Sequence, residues 1–491
     1  MAENLWVCCL LLLSVSSLPK FTFASSRSLQ QKWKTSALDV AASIQQTLDA
    51  VSFKPQAAQT LQQKTLEQQT IQSIASLTLQ LYPRTSLRRS QHKDFKSLIL
   101  SKFERDSARV KWLQARRDLA VNGIRKSDLK PLNKDFEAEA LEVPVVSGTS
   151  EGSGEYFTRI GVGQPPSQVY VVLDTGSDVS WLQCEPCADC YQQADPIFRP
   201  TSSSSYAPVS CQSEQCKALD VSECRGDQCL YEVSYGDGSY TVGDFVRERI
   251  TFSEASVDNI AIGCGHNNEG LFVGAAGLLG LGGGSLSFPS QINTTSFSYC
   301  LVDRDSNAAS TLEFNSPLPP GAVTAPLLRN RQLDTFYYLG LTGISIGGEL
   351  LPIPPSSFQM DEAGNGGVII DSGTAVTRLQ TEVYNTLRDA FVRGTHHLPS
   401  ANGVALFDTC YNLASRSSVE VPTVVFHFPD RENLPLPAKN YLIPVDSDGT
   451  FCFAFAPTTS SLSIIGNVQQ QGTRVGIDLA NSLIGFSPNQ C

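Results

Sequence analysis

The feature that most constrains the fold of this chain is a seven-residue pattern that occurs twice. Residues 171–177 read Val-Val-Leu-Asp-Thr-Gly-Ser, and residues 368–374 read Val-Ile-Ile-Asp-Ser-Gly-Thr. Each copy is followed by a motif of apolar residues and glycine, Leu-Leu-Gly-Leu-Gly at 278–282 and Ile-Ile-Gly-Asn at 464–467. Because both motifs recur in the same order, we expect a duplicated half-molecule in which two similar β lobes face each other.

The composition of each copy suits a carboxylate site. The aliphatic triplet predicts a buried strand, and an aspartate, Asp174 or Asp371, leaves the end of that strand. A glycine permits the tight turn that follows, and hydroxyl side chains can donate hydrogen bonds to the carboxylate oxygens. The residues expected to support the two carboxylates are Thr175, Gly176, Ser177, Ser372, Gly373 and Thr374.

A pair formed by Asp174 and Asp371 could hydrolyse peptide bonds. Two carboxyl groups held close together cannot both ionise, so they share one proton. The ionised member can act as a general base on a water molecule held between them, while the protonated member donates to the scissile carbonyl. We therefore predict an endopeptidase that works at acidic pH, with no cofactor and no metal.

Beyond Tyr156 the chain consists largely of short runs of β-forming residues separated by Gly, Pro, Asn and Asp, which predicts a mainly β fold. The predicted strands span residues 156–162, 168–173, 230–235, 245–252, 259–264, 336–346, 367–370, 423–428 and 451–455. The clearest helix is predicted at residues 380–393, where the apolar residues fall on one face.

The N-terminal third has the organisation of a secreted precursor. Residues 5–18 are mostly apolar and uncharged, and small-residue cleavage context follows, so residues 1–24 are predicted to be a signal peptide. An uncleaved anchor is the alternative, although the run is short for a membrane span. Residues 25–145 are the predicted propeptide, called the leader below, and the small polar residues 147–154 are a predicted linker or processing zone.

Within the leader, residues 25–70 are expected to be flexible or only marginally helical because they are rich in Ser, Gln, Thr and Ala. A cationic amphipathic helix is predicted between Asp94 and Gly123. Its apolar residues at near-helical spacing are Phe95, Ile99, Phe103, Val110 and Leu113. The helix could be an ordinary solvated helix or part of a prosegment that lies on the body.

Charge separates the leader from the rest of the chain. Residues 25–140 contain 20 Lys/Arg and 11 Asp/Glu, a net charge of +9, whereas residues 141–491 contain 16 Lys/Arg and 36 Asp/Glu, a net charge of −20. This balance favours mutual attraction of leader and body over nucleic-acid binding. The alternative is that the two regions merely differ in surface charge.

Cysteine content indicates an oxidising compartment. Of 14 cysteines, Cys8 and Cys9 would leave with the signal, and an even dozen remains, which predicts six disulfides with the pairing left open. These are Cys184, Cys187, Cys190, Cys211, Cys216, Cys224, Cys229, Cys264, Cys300, Cys410, Cys452 and Cys491. The first seven could suggest a zinc cluster, but no histidine lies among them. Asn293 begins a glycosylation sequon.

From Tyr156 to Cys491 these motifs resemble those of the pepsin-like aspartic peptidases, in particular the nepenthesin-type branch of plants and, within it, a guard-cell aspartic protease. A shared-proton carboxylate pair is the established chemistry of that family. The resemblance implies a bilobal double-β-barrel with pseudo-twofold symmetry and a cleft between the lobes. It places an N-terminal catalytic lobe at residues 146–330 and a C-terminal catalytic lobe at residues 331–491.

The resemblance also assigns roles to individual residues. Asp174 and Asp371 match the catalytic pair, Ser177 and Thr374 match the hydroxyls that bond the outer carboxylate oxygens, and Thr175 and Ser372 match the cross-brace between the lobes. Pepsin has threonine where this chain has Ser372. Residues 233–239 resemble the flap over the substrate, with Tyr235 and Gly236 at its tip and Trp181 holding the tyrosine. Residues 184–229 resemble the cysteine-rich insertion of the nepenthesin-type branch.

These features together predict a secreted zymogen. Its expected partners are protein or peptide substrates and its own propeptide as an intramolecular inhibitor, with no nucleic acid, no stable membrane span and a monomeric state. The expected location is the secretory pathway, extracellular or apoplastic, with the ER lumen or vacuole as alternatives. The rival interpretation is a catalytically inactive pepsin-like binding or inhibitor protein, although both aspartates are present.

Other hydrolase chemistries find little support. Residues 148–152 match Gly-x-Ser-x-Gly, but no buried strand precedes them. The five histidines form no His-Glu-x-x-His motif, which disfavours a zinc peptidase. A glycosidase could use two carboxylates but would not need duplicated Asp-hydroxyl-Gly turns.

Overall fold

The computed structural model of the protein describes residues 33–52, 77–83, 93–122, 156–235, 239–252, 255–270, 274–301 and 310–491. The predicted signal peptide, the predicted linker at 147–154 and Gly236 lie outside the described residues. None of the described helices has both the length and the apolar composition needed to cross a bilayer.

Strands dominate the described residues, as the short β-forming runs predict. Those up to residue 328 are β1 Thr35–Asp39, β2 Leu77–Pro83, β3 Tyr156–Val162, β4 Ser167–Asp174, β5 Trp181–Gln183, β6 Ala207–Pro208, β7 Val221–Arg225, β8 Gln228–Ser234, β9 Tyr240–Thr251, β10 Ser256–Glu269, β11 Gly277–Gly280, β12 Ser296–Cys300, β13 Ser310–Phe314 and β14 Val323–Leu328. The mainly β prediction is confirmed.

The remaining strands belong to the second half of the body. They are β15 Tyr338–Leu339, β16 Gly343–Ile346, β17 Glu349–Leu350, β18 Val368–Ile370, β19 Thr377–Gln380, β20 Ser400–Ala401, β21 Cys410–Asn412, β22 Ser418–Pro422, β23 Val424–His427, β24 Asn433–Leu436, β25 Leu442–Pro444, β26 Thr450–Phe453, β27 Phe455–Thr458, β28 Ser463–Ile465, β29 Thr473–Asp478 and β30 Leu483–Pro488.

Helices are fewer and mostly short. They are α1 Val40–Ser52, α2 Phe95–Val121, α3 Glu214–Lys217, α4 Phe288–Gln291, α5 Thr381–Gly394 and α6 Asn467–Gln470. The predicted helix at 380–393 corresponds to α5, which buries Val383, Leu387 and Phe391 against the body. Phe391 stacks on Phe453 at 4.2 Å between ring centroids, so this helix is held by aromatic packing.

The two halves repeat the same strand arrangement around the aspartate motifs. Strand β11 runs parallel to β4 in the first half, and β28 runs parallel to β18 in the second. Strand β5 is antiparallel to β11 and parallel to β10, whereas β19 is antiparallel to β28 and parallel to β27. Each apolar-glycine motif therefore lies directly beside its aspartate-bearing strand, which gives the molecule its pseudo-twofold relationship.

Sheet connectivity joins the halves. Twenty of the described strands belong to one closed hydrogen-bonded system, in which β12 of the first half pairs with β29 of the second. Two four-stranded sheets and the two-stranded β1–β22 sheet complete the topology of the described residues. The bilobal arrangement agrees with this connectivity, and the description of each lobe as a separate barrel stays a prediction.

Three segments of the leader are built into this framework. Strand β2 lies between β3 and β13 and pairs antiparallel with both. Strand β1 pairs antiparallel with β22 along its full length. Helix α2 starts at a capping box in which Asp94 accepts from the backbone N–H of Ser97, and it buries Phe103, Val110 and Leu113 against the body.

The expectation of a flexible or marginally helical stretch at 25–70 is wrong for residues 35–52. These residues form β1 and the 13-residue helix α1. Leu38 is 2% exposed and Val40 is fully buried. The local composition is polar, but long-range contacts with β22 supply the pairing and burial that the segment needs, and such contacts override propensity.

Residues Lys34–Cys491 form one compact unit. The described parts of the leader and the body therefore pack as a single unit. The boundaries predicted at 24/25, 145/146 and 330/331 stay predictions, because they concern processing and lobe assignment rather than a break in packing.

Candidate active site

The two aspartates occupy equivalent positions at the ends of equivalent strands. Asp174 is the last residue of β4, and Asp371 directly follows β18. Each is about 1% exposed. Because the strands that carry them pair with β11 and β28 on the interior of each half, both carboxylates are held rigidly where the halves meet.

Each carboxylate accepts the same two hydrogen bonds from its own turn. Asp174 accepts from the backbone N–H of Gly176 at 2.9 Å and from the Ser177 hydroxyl at 2.7 Å. Asp371 accepts from the backbone N–H of Gly373 at 3.2 Å and from the Thr374 hydroxyl at 2.6 Å. The two copies of the sequence motif therefore form two equivalent turns, each of which holds one carboxylate by the same pair of hydrogen bonds.

A direct contact links the two turns beneath the carboxylates. The Thr175 hydroxyl oxygen accepts from the backbone N–H of Ser372 at 3.0 Å and lies 3.2 Å from the Ser372 hydroxyl. The same Thr175 hydroxyl lies 3.0 Å from Asp371 Oδ1, to which it can donate. The two residues that the resemblance assigns to the cross-brace are therefore in contact across the halves.

The carboxylates are bridged by Arg109 from helix α2 of the leader. Arg109 Nε donates to Asp371 Oδ2 at 2.7 Å, Nη2 donates to Asp371 Oδ1 at 2.7 Å, and Nη2 also donates to Asp174 Oδ1. Arg109 is 5% exposed. One buried guanidinium thus binds both carboxylates, in the charge-assisted and partly bidentate geometry that arginine favours.

Arg109 also affects the pKa of Asp371. Burial by itself would raise the pKa of Asp371, but the adjacent guanidinium, with the Thr374 and Gly373 donors, holds that pKa below its ordinary value. Burial would lower the pKa of Arg109, yet the two carboxylates raise it well above its usual range. With the leader in place, one cation therefore stabilises the ionised form of Asp371.

Further contacts of α2 run along the cleft on both sides of the carboxylates. On the first-half side, Arg116 donates to the Gly176 carbonyl at 3.3 Å and pairs with Asp220 at 3.2 Å. On the second-half side, Gln114 donates to the Thr458 hydroxyl at 2.7 Å and Arg117 donates to the Ser461 hydroxyl at 2.8 Å. The helix thus contacts both halves.

The hairpin formed by β8 and β9 covers the site. Tyr235 follows β8, and its hydroxyl accepts from Trp181 Nε1 at 2.8 Å. Trp112 of α2 lies against Tyr235 with 5.6 Å between ring centroids, and its indole N–H donates to the Ser234 carbonyl at 3.2 Å. The predicted contact between Trp181 and Tyr235 is present, and Gly236 lies outside the described residues.

All twelve cysteines beyond the signal are paired, which answers the question of pairing that the sequence leaves open. The pairs are Cys184–Cys264, Cys187–Cys190, Cys211–Cys224, Cys216–Cys229, Cys300–Cys491 and Cys410–Cys452. The six predicted disulfides are confirmed, and the first seven cysteines are therefore engaged as disulfides rather than as free thiolates.

A histidine fastens the cysteine-rich insertion to the first half. His266 contacts the Pro186 carbonyl through Nδ1 at 2.9 Å and Asp244 Oδ2 through Nε2 at 3.1 Å. Burial favours the neutral ring, but the Asp244 carboxylate and the backbone carbonyls of Pro186 and Cys184 raise the pKa of His266 above its ordinary value. The charged ring therefore binds the insertion most strongly at acidic pH.

His266→Asn is expected to destabilise the protein at pH 5 and to have little effect at pH 8. Because the folded-state pKa is raised, the stabilisation is complete below the unfolded-state value of about 6.5 and is lost as pH rises through the folded-state pKa. We expect a loss of about 1 kcal/mol at pH 5, since the ring is partly solvent-screened. Thermal unfolding at both pH values measures this, with the exposed His397→Asn as control; equal losses at both values would contradict it.

Comparison with known proteins identifies the family to which this chain belongs. The family models Xylanase inhibitor N-terminal and Xylanase inhibitor C-terminal match residues 156–315 and 336–488. Aspartyl protease family protein 2 of Arabidopsis thaliana is 52% identical over 425 residues, covering 85% of this chain and 86% of that protein. The chain belongs to the plant pepsin-like aspartic proteases.

Other relatives support the same family. Protein ASPARTIC PROTEASE IN GUARD CELL 2 of Arabidopsis thaliana is 46% identical, covering 86% of this chain and 89% of that protein. Aspartic proteinase nepenthesin-1 of Nepenthes gracilis is 41% identical, covering 69% of this chain and 79% of that protein. The resemblance to the nepenthesin-type branch and to guard-cell proteases is confirmed. Membership of this family makes the chain an aspartic-type endopeptidase.

Solved structures agree on the fold. The crystal structure of edgp matches with a TM-score of 0.57 at 20% identity and covers 70% of this chain and 93% of that chain. Basic 7S globulin from soybean matches with a TM-score of 0.55 at 20% identity and covers 69% of this chain and 94% of that chain. At this identity the likeness concerns the fold alone.

Sequence reasoning alone does not single out Arg109 in this protease. The predicted amphipathic helix contains the signal that could find it, because Arg109 is adjacent to Val110 and lies four residues before Leu113, both buried. A cation on the apolar face of a leader helix should be buried against an anion of the body. The same argument with the charges reversed applies to Asp106, an anion that is 3% exposed on this helix and should be buried against a cation of the body.

Proposed function

We propose that this protease is made as a secreted zymogen whose body hydrolyses peptide bonds at acidic pH, with Asp174 and Asp371 as the catalytic pair. The observation that carries the proposal is the matched geometry of these two carboxylates. Each is buried, each accepts one glycine N–H and one hydroxyl, and one guanidinium reaches both.

The leader inhibits by occupying the place of the attacking water. A water activated by the pair must bond to both carboxylates, and Arg109 Nη2 already donates to both. Once Arg109 leaves, the two buried carboxylates face each other without the cation, and their repulsion favours binding of one shared proton. Release of the leader thus both opens the site and creates its catalytic protonation state.

In the mature site the ionised carboxylate takes a proton from the water as its oxygen attacks the peptide carbonyl carbon. The protonated partner donates to the carbonyl oxygen, so a neutral diol forms. The carboxyl that took the water proton then passes it to the amide nitrogen, and the other carboxylate takes a proton from a diol hydroxyl. The C–N bond breaks, the carboxyl and amine products leave, and the pair again holds one proton. Ser177 and Thr374 hold the two carboxylates by donating to their Oδ2 atoms.

Tyr235 and Trp181 are proposed to close the flap over a bound peptide. In the precursor, the Tyr235 ring packs on Trp112 of the leader. When that helix departs, the same ring and the Trp181–Tyr235 hydrogen bond remain available to shape a subsite and exclude water.

Acid is proposed to weaken the leader contacts in a definite order. Burial raises the pKa of Asp178, which lies 3.7 Å from Arg116, whereas the pKa of Asp371 beside Arg109 is lowered. The Asp178–Arg116 ion pair is therefore neutralised at a higher pH than the Asp371–Arg109 ion pair.

The proposal includes entry into the secretory pathway, with the apoplast or cell exterior as destination and the ER lumen or vacuole as alternatives. It is supported by six disulfides, which persist in oxidising compartments. Asn293 is exposed at a positive φ just after α4, where a glycan would meet solvent. Protein or peptide substrates and a monomeric enzyme complete the proposal.

A second candidate is a catalytically inactive binding or inhibitor protein on this fold. One observation favours it: both matching family models are described as xylanase inhibitor halves. The site argues for the enzyme, because the two aspartates keep their full sets of donors.

One assay separates the two candidates. Purified precursor is incubated between about pH 3 and 6, where a shared-proton pair operates, and denatured globin is supplied as substrate with and without pepstatin. We expect pepstatin-sensitive cleavage and a new N-terminus near residues 147–154. An acid-treated protein that cuts nothing and binds no pepstatin supports the binding protein. An active enzyme that keeps its N-terminus near Ser25 rejects the zymogen part alone.

A further inference from the structure

A second buried ion pair joins the leader helix to the cleft, next to the catalytic pair. The Asp106 carboxylate of α2 accepts from Arg378 Nη2 through Oδ2 and from the backbone N–H of Ala375 through Oδ1. Asp106 is 3% exposed and Arg378 is 4% exposed. Arg378 also donates to the Val376 carbonyl at 3.0 Å, which fixes its guanidinium.

Symmetry shows that Arg378 is a cleft position. It is the seventh residue after Asp371, as Trp181 is the seventh after Asp174. Trp181 pairs with Leu278 of β11, and Arg378 pairs with Ile464 of β28, in the same antiparallel arrangement. The position that supports the flap tyrosine in one half therefore carries a guanidinium in the other.

The spacing of Asp106 and Arg109 on the leader helix gives an approximate distance between the Arg378 guanidinium and the catalytic pair. Asp106 precedes Arg109 by three residues, and side chains at that helical spacing lie about 5–6 Å apart. Extended peptide advances about 3.3 Å per residue. A side chain bound at Arg378 would thus belong to a substrate residue about two positions from the scissile bond.

We propose that Arg378 and the Ala375 N–H form a subsite for an acidic side chain of the substrate, a preference that rests on the proposed peptidase function. In the precursor, Asp106 fills this subsite as a substrate mimic. When the leader departs, the guanidinium loses that carboxylate while much of its surroundings remains protein. A substrate Asp or Glu restores the charge-assisted bonds, whereas an amide of the same shape brings no charge.

Phe103, one turn before Asp106 on α2, can likewise be compared with a side chain of a bound substrate. Its ring packs edge-on against Phe407 with 4.8 Å between centroids, within a buried cluster of the second half that includes Val376 and Ile443. An apolar side chain beyond the acidic one therefore suits the cleft. The leader thus presents an apolar residue, a carboxylate and a blocking cation at successive turns.

The test uses mature enzyme and pairs of quenched fluorescent peptides that differ by Glu or Gln at one position, scanned over four residues on each side of the scissile bond. At pH 5 we expect Glu to exceed Gln in kcat/KM by about tenfold or more at one position, about two residues from the scissile bond. The preference should shrink at pH 3, because the substrate carboxyl gains a proton there.

Variants assign the preference to Arg378. Arg378→Gln is expected to bring the Glu-to-Gln ratio close to one, and Arg378→Glu to favour Lys at the same position. Arg378→Lys keeps a positive charge and should retain part of the preference, which covers the case in which the neutral variant folds poorly. Exposed Arg416→Gln is the matched control and should leave the ratio unchanged.

A binding measurement separates this subsite from the proposed catalysis. The same peptides are titrated against mature Asp371→Asn enzyme, and tighter binding of the Glu peptide supports the subsite even if no peptide is cut. Equal binding and equal cleavage of Glu and Gln peptides at every position would overturn it. A preference that survives in Arg378→Gln would overturn it as well.

Discussion

Mature enzyme that carries Asp371→Asn is expected to cleave peptides with kcat/KM lower by about 10⁴-fold or more, the scale seen when an essential acid-base group is removed. The amide oxygen can still accept from the Gly373 N–H, and the amide NH2 can donate to the Thr374 hydroxyl oxygen, so the local geometry is largely retained. What disappears is the second ionisable group, and without it the pair cannot hold one charge and one proton together.

This measurement requires matched processing, because under the proposed self-processing an inactive variant would keep its leader. A foreign protease site placed within residues 147–154 of both proteins gives mature forms of identical length. Asp174→Asn should show a loss of similar size, because the two carboxylates hold equivalent positions, whereas Asp389→Asn on the surface of α5 should leave kcat/KM unchanged. Residual activity within about tenfold of wild type would exclude Asp371 from the chemistry.

Full-length Arg109→Met is expected to bind pepstatin and to cleave peptide at about pH 6, the upper end of the range of a shared-proton pair, before any chain cleavage occurs, unlike wild-type precursor. Removing one partner from a buried charge cluster costs about 3–5 kcal/mol, and here it leaves two carboxylates facing each other. The leader helix should therefore dock far more weakly, and one carboxylate should take up a proton. Initial rates at about pH 6, with gels to confirm an intact chain, measure the effect.

Lys111→Met supplies the control for this experiment. Lys111 lies on the same helix but is exposed, so its loss changes the leader charge by the same amount without touching the pair. If latency came only from general attraction between a basic leader and an acidic body, the two variants would behave alike. Different behaviour would assign latency to the specific contact at Asp174 and Asp371.

The aspartate turns could be predicted from sequence because the residues that form each turn are contiguous in the chain. Three aliphatic residues, an aspartate, a glycine and two hydroxyls contain everything needed to bury a strand and hold a carboxylate, and duplication supplied the partner. The strand at 156–162 is predicted to the residue for a similar reason, since β-forming residues occupy five of its seven positions. Turn signals at 336–346 are weaker, and the structure divides that run into β15 and β16.

Features that depend on distant contacts could not be predicted in the same way. The partner of Arg109 lies 262 residues away in Asp371, and no local pattern specifies that separation. The ordering of residues 35–52 likewise depends on β22, which is about 380 residues further along the chain. Disulfide pairing belongs to the same class, because the number of cysteines fixes how many bridges form and the fold decides which.

The two-stranded β1–β22 sheet bears on how the enzyme behaves once processed. Strand β22 has its full length covered by β1 in the precursor, and removal of the leader uncovers the backbone donors and acceptors of one edge. Exposed edges invite strands of other molecules, although Glu420 and Pro422 in β22 are residues that discourage such pairing. The precursor therefore has fewer exposed strand edges than the proposed mature protease, which would lose β1 from β22 and also β2 from between β3 and β13.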